Sequence, residues 1–188
     1  MTKTNQNKLA VVFPGIGYHV DKPLLFHTRK LLRELGYEVA DVNYTGFSSE
    51  IKGNPQKMKE AFDMALLQAE DILKNIDMTD AGDLIFVSKS IGTAVAAAYA
   101  NNHGLTPKHI YFTPIAEAFD YIAPKSGIAF HGTSDPWADT EIITNKCSEF
   151  KIDLFITNEA NHSLETGDTL KDIQELSVIM KTVKQYLL

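Results

Sequence analysis

A short polar segment, Ser88–Gly92, joins two stretches of very different character and constrains the fold more than any other feature of the chain. The residues before it, Leu84–Val87, form the continuous apolar run that is typical of a strand buried on both faces of a sheet. The residues after it, Ile91–Ala100, are mostly small and apolar and predict a helix that packs closely on that sheet. The sequence therefore predicts a tight strand-to-helix corner with Ser90 at its centre.

Short apolar runs alternate with longer segments of helical period along the chain, a pattern typical of βα units and a mostly parallel sheet. Six strands are predicted, at Lys8–Phe13, Glu38–Tyr44, Asp83–Val87, His109–Thr113, Gly127–His131 and Ile152–Thr157. Helices are predicted at Leu24–Leu35, Met58–Leu73, Ile91–Ala100, Glu141–Phe150 and Leu170–Leu187. We expect an α/β fold with three layers, α/β/α, formed by residues 1–188 as a single domain.

Composition excludes several classes of function. The formal net charge of -6 and the lack of a Lys/Arg run argue against a nucleic-acid-binding protein. No stretch approaches the roughly 20 apolar residues of a membrane span, and the first seven residues do not resemble a signal peptide. A single cysteine, Cys147, fits a reducing compartment, so we expect a cytoplasmic protein. No His or Cys spacing and no carboxylate-rich loop predicts a metal site.

Two glycines that follow the first predicted strand allow a second interpretation, a dinucleotide-binding turn. Gly15 and Gly17 match the first two glycines of G-x-G-x-x-G, but Val20 occupies the third position. Pro23 indicates that the next helix begins too late to present its N-terminus to a pyrophosphate. We therefore expect no nucleotide and no other cofactor.

Three residues with complementary chemistry each follow a predicted strand. Ser90 lies at the corner, Asp135 follows Gly127–His131, and His162 follows the last predicted strand. The carboxyl ends of parallel strands meet at one edge of a sheet, so these side chains are expected to converge although they are far apart in sequence. A serine hydroxyl becomes a nucleophile when a base accepts its proton and an acid orients that base.

Four segments in this order resemble the α/β-hydrolase superfamily, and in particular its small lidless members similar to the dienelactone-hydrolase-like group. They are Phe13–Gly17, Ser88–Gly92, His131–Pro136 and Asn161–Glu165. The family places a nucleophile elbow, G-x-S-x-G, between strand and helix, and its triad follows the order serine, acid, histidine. Ser88 replaces the first glycine of that pattern, and Pro14 replaces a histidine that is usual in the first loop.

The resemblance implies a serine hydrolase that cleaves carboxylic esters or thioesters of small acyl groups through an acyl-enzyme. Ser90 would be the nucleophile, His162 the base and Asp135 the acid that orients it. The backbone amides of Ile16 and Ile91 would form the oxyanion hole, although Gly15 or Gly17 could supply the first donor in place of Ile16.

Only Pro114–Ser126 separates the strand after the elbow from the next one, which leaves no room for the large lid of bigger relatives. We therefore expect a shallow, open substrate pocket. Its predicted borders are Tyr18, Phe47, Ile115, Phe119, Tyr121 and Trp137.

Some alternatives stay open at this level. Asp139 is a rival for the acid, although it is better placed to begin a helix, and His19 could touch substrate from the first loop. A hydrolase-like protein that binds a ligand or partner without efficient turnover is the competing functional hypothesis. The sequence does not indicate an oligomeric state.

Overall fold

The computed structural model describes residues 7–47, 51 and 54–188, and these contain six strands and five α-helices. The strands are β1 (Lys8–Phe13), β2 (Glu38–Asp41), β3 (Asp83–Lys89), β4 (Lys108–Phe112), β5 (Gly127–Gly132) and β6 (Asp153–Thr157). The helices are α1 (Pro23–Glu34), α2 (Pro55–Leu73), α3 (Ile91–Asn102), α4 (Thr140–Phe150) and α5 (Thr169–Leu187). A short 3-10 helix, Ala116–Asp120, lies between β4 and β5.

The strands form one sheet in the order β2-β1-β3-β4-β5-β6, and every pairing is parallel. The carboxyl ends of the strands therefore share one edge, as expected. The second strand is shorter than the predicted Glu38–Tyr44, because after Asp41 only the amide of Val42 still bonds to β1. Strand β3 extends to Lys89, so its hydrogen-bonded ladder reaches the corner itself.

Helices cover both faces of the sheet and produce the predicted three layers. Buried side chains of α1 and α5 pack on one face, together with Ile85 and Val87 of β3. Buried side chains of α2 and α3 pack on the opposite face with Phe86, and α4 joins them towards β5 and β6. Successive strand residues point to opposite faces, so a strand between two helical layers needs apolar residues at every position. This requirement accounts for the continuous apolar run in β3.

Helix α3 packs against the centre of the sheet closely enough for Gly92 to be required. A Cβ atom at Gly92 would overlap the carbonyl oxygens of Phe13 and Pro14. Every residue of α3 from Ile91 to Ala100 is buried, and most are alanine or another small residue. The small side chains thus bring the start of α3 next to the end of β1, and both contribute to the same edge of the sheet.

The segment between β4 and β5 is short, and in the part of the chain that the structure describes no cap covers the edge of the sheet. The architecture is the minimal α/β sandwich that the sequence predicted. Among residues 7–47, 51 and 54–188, no helix is both long and apolar enough to cross a lipid bilayer.

Candidate active site

Ser90 occupies the corner between β3 and α3 in a strained backbone conformation. Its φ is 56° and its ψ is -128°, a combination that residues with a side chain rarely adopt. Hydrogen bonds fix both sides of the corner: the Ser90 amide donates to Phe112 O at 3.0 Å, and the Thr93 amide donates to Ser90 O at 2.9 Å. Such strain persists only where surrounding contacts impose it, and it is concentrated at functional sites.

The three residues that the sequence singled out converge at this corner. His162 Nε2 lies 2.8 Å from Ser90 Oγ, and His162 Nδ1 lies 2.7 Å from Asp135 Oδ2. An ionised carboxylate can only accept, so the Nδ1–H donates to Asp135 and leaves Nε2 to accept from the serine hydroxyl. Asp135 Oδ1 accepts from the backbone amide of Trp137 at 2.8 Å, which fixes the orientation of the carboxylate.

The loops that carry Asp135 and His162 are joined by hydrogen bonds from backbone amides. The amide of Ser134 donates to Ala160 O at 2.9 Å, and the amide of Glu159 donates to Thr133 Oγ1 at 2.7 Å. A Cβ at Gly132 would overlap Ala160 O, so this close approach requires glycine. The ends of β5 and β6 therefore position the acid and the histidine as one unit.

Burial and charge shift the pKa values of the two titratable groups. The Asp135 side chain is fully buried, which raises its pKa, but the hydrogen bond from His162, the charge of His162 and the Trp137 amide outweigh this effect and hold the pKa below its usual value. Burial lowers the pKa of His162, the hydrogen bond to Asp135 opposes that change, and the charge of Lys89 lowers it further. A carboxylate and a neutral imidazole are thus the favoured forms near neutral pH.

An open cleft of about 480 Å³ lies over Ser90 and His162. Its lining residues are Gly15, Ile16, Gly17, Tyr18, Ile51, Met58, Lys89, Ser90, Ile91, Ile115, Trp137, His162 and Ser163. Tyr18, Ile115 and Trp137 are three of the predicted border residues. The Trp137 ring centroid lies 5.8 Å from that of His162, so the indole forms one wall beside the histidine.

The other predicted border residues lie elsewhere. Phe119 is buried against Phe150, with ring centroids 5.5 Å apart, and Tyr121 stacks on Phe62 of α2 at 5.1 Å. The predicted substrate contacts of Phe119 and Tyr121 are therefore corrected, because both rings are held by packing against helices. Phe47 packs edge-on against another ring, that of Tyr44, at 5.9 Å. None of the three is among the lining residues of the cleft.

The remaining alternatives are also distinguished by position. His19 is exposed and lies 3.8 Å from the carboxylate of Asp21, outside the lining of the cleft. Asp139 begins α4, where its side chain accepts from the amides of Glu141 and Ile142 at 2.9 and 3.1 Å. It is an N-cap rather than a partner of His162.

The loop after β1 lines the cleft on the side of Ile91. The Gly15 amide donates to Tyr18 O at 3.1 Å and is therefore occupied, whereas Ile16 and Gly17 both border the cleft. Ile91 is the first residue of α3, and the first amides of a helix have no acceptor within it. The geometry thus favours Ile16 or Gly17 over Gly15 as a donor in this loop, and the pairing with Ile91 stays a prediction.

Lys89 was not identified as a functional residue from the sequence. Its side chain is fully buried, its Nζ donates to Thr113 Oγ1 at 2.6 Å, and it lies 4.9 Å from the centroid of the Tyr18 ring. The alternation of side chains along β3 contained a signal. Lys89 lies two residues after Val87 and four after Ile85, so its side chain points to the same face of the sheet as these two core residues. A buried lysine beside Ser90 is therefore a feature of the site.

The sequence matches no protein-family model and no curated protein. Many solved structures share the fold. The chain superposes on Est1E from Butyrivibrio proteoclasticus with a TM-score of 0.67 and 14% identity, covering 98% of this chain and 88% of that one. Est1E has also been solved with ferulic acid bound.

Two further structures resemble the chain to a similar degree. A serine hydrolase without a lid from Xanthomonas campestris gives a TM-score of 0.65 at 18% identity, covering 96% of this chain and 83% of that one. An esterase from Pyrococcus furiosus gives 0.61 at 12% identity, with coverage of 98% and 85%. The chain therefore has the α/β-hydrolase fold in its minimal, lidless form.

Proposed function

We propose that this chain is a serine hydrolase that cleaves carboxylic esters or thioesters of small acyl groups. The observation that carries the proposal is the hydrogen-bonded series from Ser90 Oγ to His162 Nε2 and from His162 Nδ1 to Asp135 Oδ2, at 2.8 and 2.7 Å. Both distances are within the range in which a nucleophile, a base and an orienting acid act as a unit.

In the first step, Ser90 Oγ attacks the carbonyl carbon of the ester while His162 Nε2 accepts its proton. Asp135 stabilises the imidazolium that forms and keeps Nδ1 protonated throughout. The tetrahedral intermediate collapses when His162 returns the proton to the leaving oxygen or sulfur. An acyl-enzyme on Ser90 remains. Water then attacks its carbonyl carbon while His162 Nε2 accepts a proton from the water, and His162 returns that proton to Ser90 Oγ as the bond to the acyl group breaks and the acid leaves.

The developing oxyanion needs donors on the side of the cleft opposite His162. The backbone amides of Ile91 and of Ile16 or Gly17 are suited to this role, since they border the cleft and the Gly15 amide is already occupied. Removal of one donor from such a hole typically costs about 3 kcal/mol of transition-state stabilisation.

The cleft favours a modest apolar acyl group. Its walls include Ile51, Met58, Ile91, Ile115 and Trp137, and no cap from the described residues closes it. An open apolar cleft of this kind binds a short chain or a single ring but does not enclose a long one. The preference for esters and thioesters over amides comes from the family resemblance and from the esterases among the fold neighbours.

A fluorophosphonate probe tests the proposal directly, since it labels an activated serine covalently. Wild type should be labelled, and Ser90→Ala should not. Ser163→Ala is the matched control, because Ser163 also lines the cleft but bonds to neither His162 nor Asp135 through its side chain in the described structure. We expect Ser163→Ala to be labelled like wild type.

A panel of p-nitrophenyl and thioester substrates of increasing acyl length then defines the substrate. A feruloyl ester belongs in the panel because a fold neighbour was solved with ferulic acid. Absence of labelling in correctly folded wild type, or equal labelling of Ser90→Ala, would reject the enzymatic proposal and favour a binding protein with the hydrolase fold.

A further inference from the structure

The proposed reaction leaves one buried charged group without a role. Lys89 directly precedes the nucleophile, and its side chain is inaccessible to solvent. Lysine is almost never buried unless it is paired, because removal of an ammonium from water is costly. The unfavourable desolvation of this ammonium directly beside Ser90 suggests that Lys89 has a function there.

Two neutral groups hold the ammonium in place. Nζ donates to Thr113 Oγ1 at 2.6 Å, and the Tyr18 ring faces it with its centroid 4.9 Å away, a cation–π distance. The ring is itself anchored, because Tyr18 Oη accepts from the amide of Leu24 at 3.0 Å. Neither partner neutralises the charge, so its field extends into the neighbouring site.

Thr113 provides this hydrogen bond from a strained backbone. Its φ is 43°, in the left-handed region that a β-branched residue strongly disfavours. The conformation is fixed by its amide, which donates to Phe130 O at 2.8 Å, and the residue is fully buried. The strain at Thr113 and the burial of Lys89 are separate observations, and both occur in one pair of residues next to the nucleophile.

The charged and titratable groups around this ammonium belong to the catalytic loops. Asp135, from the loop after β5, and Glu165, from the loop after β6, attract it and favour its charged form. Lys89 and His162 line the same cleft, and the charge of Lys89 lowers the pKa of His162, since two cations repel each other. His131, at the end of β5, also lowers the pKa of His162, but by less than Lys89 does. Asp135 raises the pKa of His162 and so opposes both.

We propose that Lys89 is a positioning residue of this site: its ammonium, held by Thr113 and Tyr18, disfavours protonation of His162 and keeps that imidazole free to accept the proton of Ser90. The inference rests on the proposed function, because it takes His162 as the base. Burial lowers the pKa of Lys89 to about 7, so the ammonium carries its charge through the acidic range in which His162 titrates.

NMR titration of His162 tests this independently of catalysis. The protein is labelled with ¹³C at histidine Cε1, and the His162 resonance is assigned by its loss in His162→Asn. In Lys89→Met the midpoint of His162 should rise by roughly half a pH unit to one pH unit, because a nearby positive charge has been removed. The acid limb of kcat/KM on a p-nitrophenyl ester should move by the same amount.

Two further variants separate charge from packing. Lys89→Gln retains a donor for Thr113 but no charge, and it should shift the midpoint as Lys89→Met does. Lys108→Met makes the same substitution at an exposed lysine of β4 and should leave the midpoint unchanged. A midpoint that does not move in Lys89→Met and Lys89→Gln, or that moves equally in Lys108→Met, would overturn the proposal.

The remaining measurements decide the question even if the Lys89 variants do not fold. Thr113→Val retains the shape of the side chain but removes the acceptor for Lys89 Nζ, so the ammonium is less well stabilised. The His162 midpoint should therefore rise, as in Lys89→Met, but by a smaller amount. In wild type, the His162 resonance should show a second, smaller inflection near pH 7 as Lys89 loses its charge. Absence of both effects rejects the role of Lys89. Shifted midpoints in a protein that the fluorophosphonate does not label would instead reject the proposed function and leave the electrostatic coupling intact.

Discussion

No side chain separates Gly132 from Ala160: a Cβ at Gly132 would overlap the carbonyl oxygen of Ala160 and lie 2.8 Å from that of Asn161. This backbone contact joins the end of β5, which leads to Asp135, to the loop that carries His162. The spacing between the Asp135 and His162 loops therefore depends on the lack of a side chain at Gly132.

Gly132→Ala should consequently displace the His162 loop. We expect a destabilisation of about 1–3 kcal/mol, since the added methyl has no space. A fall in kcat/KM of the order of 100-fold is also expected, because small errors in the placement of catalytic groups are costly. Thermal unfolding and ester hydrolysis check the two effects. Gly17→Ala is the control for stability, since a Cβ there meets nothing within 4 Å. Equal activity in Gly132→Ala and wild type would contradict the role of this contact.

Substitution of the two aspartates of the loop after β5, Asp135 and Asp139, should affect different properties: activity in the first case and stability in the second. Asp135→Ala removes the partner of His162 Nδ1 and should lower kcat by about 10³- to 10⁴-fold with little effect on the fold. Asp139→Ala removes the N-cap of α4 and should cost about 1 kcal/mol of stability while activity is retained. Steady-state kinetics and denaturant unfolding of both variants provide the comparison. If Asp139→Ala were the inactive one, the assignment of the acid would be wrong.

The pH dependence of kcat/KM should have its acid limb below pH 6.5, the usual pKa of histidine. The sign follows from the burial of His162: burial destabilises the imidazolium, so its pKa falls, and the hydrogen bond to Asp135 only partly offsets this. As the proposed base, His162 must be neutral, so activity is present above its pKa and falls as the pH drops through that value. Initial rates on a p-nitrophenyl ester between pH 4 and 8 give the midpoint. A midpoint above 6.5 would contradict this electrostatic account.

The sequence predicted the features that depend on local pattern. The apolar run Leu84–Val87 and the small residues of α3 allowed both the corner and the burial of β3 on two faces to be inferred. The convergence of Ser90, Asp135 and His162 also followed, because parallel strands place their carboxyl ends at one edge whatever the loops do.

The features that depend on packing between distant segments could not be inferred in this way. Phe119 and Tyr121 lie in a connecting segment where an aromatic ring can border a cleft or join the core, and the positions of Phe150 and Phe62 decide between these outcomes. Lys89 was not predicted to be buried because lysine side chains are usually exposed, although Ile85 and Val87 of the same strand point into the same core. Its partner Thr113 directly follows another strand, β4, and nothing in the sequence near Lys89 indicates this pairing.

Trp137 is the only tryptophan of the chain, and it forms a wall of the cleft beside His162 with 40% of its surface exposed. The intrinsic tryptophan fluorescence of the whole protein therefore originates within a few ångströms of the proposed base. An acyl ligand that covers the indole, or a proton that charges the neighbouring imidazole, alters that emission without any label and without turnover. The protein thus carries its own optical probe of events at Ser90.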